Sequence, residues 1–169
     1  GEARATLRIV ARGVTTAIIM RDQSNAMLEN IIVDGNRPGL GPLNGDALIY
    51  AGGFADGQVI RNSRIMNPRS WSSVHLIEGG KISGQLCTHA LVEGNEIGPA
   101  GTSDNWADGI SLACTDSTVR NNLIVDATDG AIVIFGAPGS LIEGNTIRAE
   151  TRTLLGGINM VDYDPRSEE

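Results

Sequence analysis

Lysine is almost missing from this chain: one residue, Lys81, against twelve arginines. The formal net charge is −7. That balance leaves no basic stripe for nucleic-acid phosphates and gives little attraction to anionic membranes. It does not exclude an anionic polysaccharide, which a local arginine cluster could hold. Only two cysteines and two histidines (His75 and His89) are present, too few for a structural metal centre of the usual kind. Aromatic residues make up 4%. No apolar run approaches the roughly 18 residues of a membrane span. No amphipathic helix of useful length and no signal peptide are visible. Gly1-Glu2-Ala3-Arg4 reads as the start of a processed or trimmed chain. Asn-x-Ser/Thr acceptors are absent, which fits an unglycosylated product.

What is abundant is glycine, 22 residues, with Gly, Asn and Asp punctuating nearly every ten positions. Between them a motif recurs: Leu91-Val92-Glu93-Gly94-Asn95-Glu96-Ile97, Thr118-Val119-Arg120-Asn121-Asn122-Leu123-Ile124 and Leu141-Ile142-Glu143-Gly144-Asn145-Thr146-Ile147. Looser copies begin at Val59 and Met27. A second repeat runs in phase with it, as short strands of alternating character. Taking Ile18, Leu48, Val74, Ile110, Ile132 and Ile158 as equivalent, the steps are 30, 26, 36, 22 and 26 residues. Periods of this length mean stacked coils, and uneven steps mean that some coils carry insertions, often on a binding face. Stacking at about 4.8 Å would place like residues in ladders. Asn95, Asn122 and Asn145 then either bond one another and the turn backbone, or serve as residues tolerant of left-handed turns.

On these repeats the chain resembles the pectin-lyase-like right-handed parallel β-helix family over about residues 5 to 165. The resemblance implies an all-β, single-domain solenoid of about six coils spanning residues 1–169, with an acidic tail at 166–169. It implies no single activity, since the family includes lyases, glycoside hydrolases, epimerases, tailspikes and adhesins. Cys87 and Cys114 each precede a motif asparagine by eight residues, so they occupy the same position in adjacent coils, as a disulfide or as stacked thiols. Family members usually carry an N-terminal cap. Here Leu7, Ile9 and Val10 read as the first coil itself, and no end caps are evident. The chain is then either a piece of a longer β-helix or one that associates end to end.

The longest loops, 34–45, 77–88 and 98–107, surround the second to fourth coils. The outward column of the intervening strands is expected to run Ile19, Ile49, His75, Ser111, Val133, Asn159. The resemblance implies that substrate lies along this face. His75 is the leading candidate for a general acid or base, against an ordinary surface histidine. Asp46 and Asp108 both precede strands; read as equivalent positions two coils apart, they would be about 10 Å apart, near the upper limit for an inverting carboxylate pair. Asp-Gly turns give the same pattern. Trp71 and Trp106 suit sugar stacking or loop anchoring. Arg37, Arg69 and Lys81 could hold a uronate carboxylate, or be solvated surface charges. Ser111 and Asp104 complete the set, and Asp104 with Asp108 could bind calcium through loop carbonyls; no other cofactor is implied.

None of the sharp motifs of the epimerase, polygalacturonase or calcium-nonapeptide branches is present. The expected function is a secreted or cell-surface protein acting on a polysaccharide by lyase, hydrolase or epimerase chemistry. The rivals are a structural solenoid that self-associates into a fibre or stalk, and a non-catalytic carbohydrate-binding module.

Overall fold

The computed structural model describes residues 4–79 and 87–161. The described strands are short and form three parallel sheets, two of six strands and one of five. Each circuit of the chain adds one strand to each sheet, which is a parallel β-helix. Among the described residues the sole helical element is a turn at Arg37–Leu40.

Period-two alternation sends one apolar side chain per strand inward, and stacking turns these into three columns. Leu7, Val33, Ile65, Ile97, Ile124 and Ile147 pair in succession in the first sheet. Leu28, Ile60, Val92, Val119 and Ile142 do so in the five-stranded sheet. Ile18, Ile49, Val74, Ile110, Ile132 and Ile158 do so in the remaining sheet, which carries the groove. The middle members are fully buried. The first and last coils leave Leu7, Ile19, Met27, Ile158 and Met160 exposed.

The turn asparagines form a continuous amide ladder. Asn95 Nδ2 donates to Asn122 Oδ1 at 3.0 Å, and Asn122 Nδ2 to Asn145 Oδ1 at 2.9 Å. The Nδ2 groups of Asn95, Asn122 and Asn145 also donate to the Ile60, Val92 and Val119 carbonyls, respectively, of the coil before. Each Oδ1 also accepts the backbone N–H of the preceding rung: Ser63, Asn95 and Asn122. Left-handed geometry belongs instead to the residue one position earlier: Asn62, Gly94, Asn121 and Gly144 have φ of 50, 63, 54 and 62°. Asn95, Asn122 and Asn145 therefore act as ladder rungs, and the left-handed turn falls to their neighbours. In the second coil the rung is Ser63, whose hydroxyl accepts from Ile31 N.

Cys87 and Cys114 form a disulfide between adjacent coils, with Cα atoms 4.6 Å apart. One expected register is off by a residue. Val74 pairs with Ile49, not Leu48, so Tyr50 replaces Ile49 in the outward column beside His75. Ala47, Leu48 and Ile49 are all buried, so alternation is lost where the register had to be read.

Replacing Asn122 by Ala strands the Asn95 N–H and amide without an acceptor in the core of the turn. The expected loss is on the order of 3 kcal/mol in denaturant unfolding. Opening the disulfide as the Cys87→Ala/Cys114→Ala variant should cost about 3 kcal/mol by the same measurement.

Candidate functional site

The groove sheet runs Ile18–Ile19, Ile49–Gly52, Ser72–Ile77, Asp108–Leu112, Gly130–Phe135 and Gly156–Val161. Its register stacks Tyr50, His75 and Ser111 on the outer face. The His75 ring lies 5.9 Å from Tyr50 and 4.7 Å from Trp71, which meets it edge-on. The Arg21 guanidinium sits 6.0 Å above the Tyr50 ring. Tyr50, Trp71 and His75, with Ile77, Glu78, Ala113 and Phe135, line a depression of about 360 Å3.

Burial pushes the His75 imidazole down to about 4, against the opposing pull of Glu78 and Asp46. The ring is therefore neutral at physiological pH and keeps a lone pair free. Burial also raises Tyr50, so its phenol stays protonated.

Asp108 is buried and differently placed. Its Oδ1 accepts from Gly130 N at 3.0 Å, and its Oδ2 from Ser111 Oγ at 2.8 Å. Ser111 Oγ in turn meets Ser72 Oγ at 2.8 Å. Gly109, next in the strand, lets the following coil approach, since a Cβ there would stand 2.5 Å from the Ala131 carbonyl. Burial pushes Asp108 up to about 6, although both hydrogen bonds pull it down. Ser111, also buried, faces this network and offers no surface to a ligand.

Asp46 is exposed and does not share the Asp108 column. Asp108 pairs with Ser72, and the Ile49–Val74 register puts Ala47 opposite Ser72. The expected equivalence of Asp46 and Asp108 is corrected by that one residue. A matched pair of carboxylates facing a substrate is not formed.

The arginines divide. Arg69 is buried and donates to carbonyls of Gly41, Ala11, Arg12, Val14 and Leu40, tying the first two coils' loops together. With its donors so engaged, it is no free cation for substrate. Arg37, also buried, donates to the Pro68 and Asn105 carbonyls at 3.2 and 2.7 Å. Desolvation, then the nearby Arg152, lower its pKa. Lys81 lies outside the described residues.

Both indoles are exposed, Trp71 by 39% and Trp106 by 53%. Trp71 borders the His75 depression and also a second one of about 370 Å3, lined by Arg37, Leu43, Asn44 and Asn105. Trp106 borders that second depression and a third of about 510 Å3 among Thr102, Thr128, Thr151 and Arg152. Between them the two rings border three depressions, and both border the second. Trp106 is held by its own Nε1, which donates to the Ser103 carbonyl at 2.9 Å. Asp104 is exposed on the same loop. It is not gathered with Asp108 into any cluster of three or more metal-ligating side chains among the described residues.

Tyr50, Arg21 and Arg152 were missed by sequence reasoning. Tyr50 ended the strand Ala47-Leu48-Ile49-Tyr50, and a one-residue shift would have found it. Arg21 and Arg152 sit outside the long loops, and no sequence signal marks them.

The profile of the family described as "Right handed beta helix region" matches residues 47–166. With the three parallel sheets, this shows that the chain belongs to the right-handed parallel β-helix family, of the pectin-lyase-like fold. Comparison with curated proteins and with solved structures gave no match.

The two buried groups have opposite effects on stability. Between pH 6.5 and about 4 the unfolded chain protonates His75 while the folded chain does not, so acidification destabilises. For Asp108 the folded chain takes the proton first, from about 6 down to 3.8, so acidification stabilises. The His75→Gln variant should therefore gain stability from about pH 6.5 to 4 relative to wild type, and Asp108→Asn should lose more. Chemical unfolding at several pH values reads both slopes.

Proposed function

We propose that this is a secreted polysaccharide-active β-helix protein that cleaves a uronate-containing chain by β-elimination in the Tyr50–His75 depression. The carrying observation is the neutral His75 imidazole set beside a protonated Tyr50 phenol in one cup, against an indole wall.

Elimination at a uronate needs a base at C5 and an acid at the leaving oxygen on C4. His75 removes the C5 proton, the C4–O4 bond breaks as the C4–C5 double bond forms, and Tyr50 protonates O4. The imidazolium then returns its proton to the phenolate through solvent. No water is consumed. Both groups line one depression, so proton removal and delivery occur on the same side of the sugar, a syn arrangement. Arg21 over the Tyr50 ring supplies a nearby positive charge for the anionic intermediate. Trp71 and Trp106 offer apolar faces on which successive sugar rings can stack. The disulfide supports an oxidising, extracytoplasmic setting. Hydrolysis by Asp46 and Asp108 is disfavoured, because one is exposed and the other is buried in its own hydrogen-bond network.

The second reading is a non-catalytic carbohydrate-binding module. The exposed indoles between open depressions favour it equally, since they provide binding without requiring chemistry.

The test is the ultraviolet absorbance of the unsaturated product on a panel of uronate polysaccharides. His75→Ala and Tyr50→Phe should each lower kcat by about 100-fold or more with little change in KM. Unchanged turnover in both variants would sink the assignment. Binding by wild type with no product on any member selects the binding module instead.

A further inference from the structure

Two loop arginines, Arg37 and Arg152, line one depression and have no counter-ion among the described residues. Arg37 is 93% buried by its 7% exposure, yet it forms no ion pair among the described residues. Its two hydrogen bonds go to neutral carbonyls, and its buried Nε has no partner among the described residues. Arg152, half-buried, comes from the loop before the last described strand. Its guanidinium donates through Nη1 to the Gly101 carbonyl and likewise forms no ion pair among the described residues. Both line one depression of about 430 Å3, together with Pro38, Pro42, Thr102 and Asn105. Asn67 and Asp104 complete its wall. Asp104 is exposed and lies beyond ion-pair distance of either arginine.

Bringing two guanidinium groups together in a partly desolvated place costs free energy that carbonyl acceptors alone do not return. Arg152 is a cause of the lowered Arg37 pKa, so the two groups feel each other. An anion is the missing component. Arg152 and Thr102 also line the cup walled by Trp106, and Arg37 also lines the cup between the two indoles. A group bound between the arginines would therefore be within the same surface that the indoles offer to sugar rings.

We propose that Arg37 and Arg152 form an anion-binding site, separate from the Tyr50–His75 depression, that takes the carboxylate or sulfate of a glycan unit packed against Trp106. The proposal deepens the reading of the groove as a glycan site, and it rests on that reading only for the identity of the ligand. Planar forked donors suit both oxyanions. Arg37 anchors two loops, so Arg152 is the residue to change.

Thermal unfolding is followed with free galacturonate, with sulfate, and with neutral galactose as control, on wild type, Arg152→Gln and Arg152→Lys. Wild type should gain stability with galacturonate or sulfate and not with galactose. Arg152→Gln should lose most of that gain, and Arg152→Lys should keep part of it. Whichever of the two anions acts at lower concentration identifies the carboxylate or the sulfate as the preferred group. Oligogalacturonate and a sulfated galactan are then titrated by indole fluorescence, and Arg152→Gln should weaken the preferred one about tenfold. An equal shift with galactose, or an unchanged response in Arg152→Gln, overturns the anion site. If the anions bind as expected but no polysaccharide is cleaved, the elimination reading fails and the site stands. If cleavage proceeds with unchanged KM in Arg152→Gln, the elimination reading stands and the site fails.

Discussion

Everything in this molecule depends on keeping successive coils in register, and the buried amide ladder does that at the tightest point. A turn between two short strands would bury backbone N–H and C=O groups with nothing to bond them. Asn95, Asn122 and Asn145 each supply one acceptor and one donating amide at the place where both are needed. The left-handed residue just before each rung turns the chain so that the next strand starts in line. The apolar columns follow from that alignment. A slip of one residue would put Ile97 or Ile124 on the outside and break all three columns at once. The disulfide fixes the same coil-to-coil offset covalently.

Regular stacking leaves the outer face of the sheet and its edge loops free to vary. The groove sheet is rigid because its inner faces are packed, so its outer positions are held at fixed spacing. Loops at its edges can differ from coil to coil without disturbing the core. Arg69 shows how such irregular segments are made firm. One buried guanidinium collects carbonyls from residues 11–14 and 40–41, which have no strand partners to use. Arg37 does related work further along, between Pro68 and Asn105, but with a donor left over. The contrast between a satisfied arginine and an unsatisfied one separates scaffold from candidate site better than exposure does.

The sequence made the fold legible because the repeat is a property of every coil. Val92, Val119 and Ile142 stand at the same offset from their asparagines, and no long-range knowledge is needed to see it. The neighbourhood of the groove was legible for the opposite reason, since the uneven steps mark where loops are inserted. Which side chains meet there was only partly legible. His75, Trp71 and Trp106 were visible as rare residue types in the coils that carry the long loops. Tyr50 was hidden by three consecutive buried residues, Ala47 to Ile49, that erase the alternation needed to set the register. That shift also created the false pairing of Asp46 with Asp108. The roles of Arg69 and Arg37 were not legible at all. A guanidinium reaching an exposed ligand and one capping loop carbonyls look identical in sequence, and only the path of the loops distinguishes them.

The ladder also has a sense of direction. Every Oδ1 receives hydrogen bonds from the coil before it, whereas the Nδ2 groups of Asn95 and Asn122 donate both ways, to a carbonyl of the coil before and to the amide oxygen of the coil after. The acceptors therefore all serve the same neighbour, the coil before, and none serves the coil after. A coil placed ahead of the run must bring donors to the join, as Ser63 does with its backbone N–H. A coil placed beyond Asn145 must bring an acceptor. The two ends of the stack are chemically unlike, so segments grafted onto this solenoid are interchangeable only in one order.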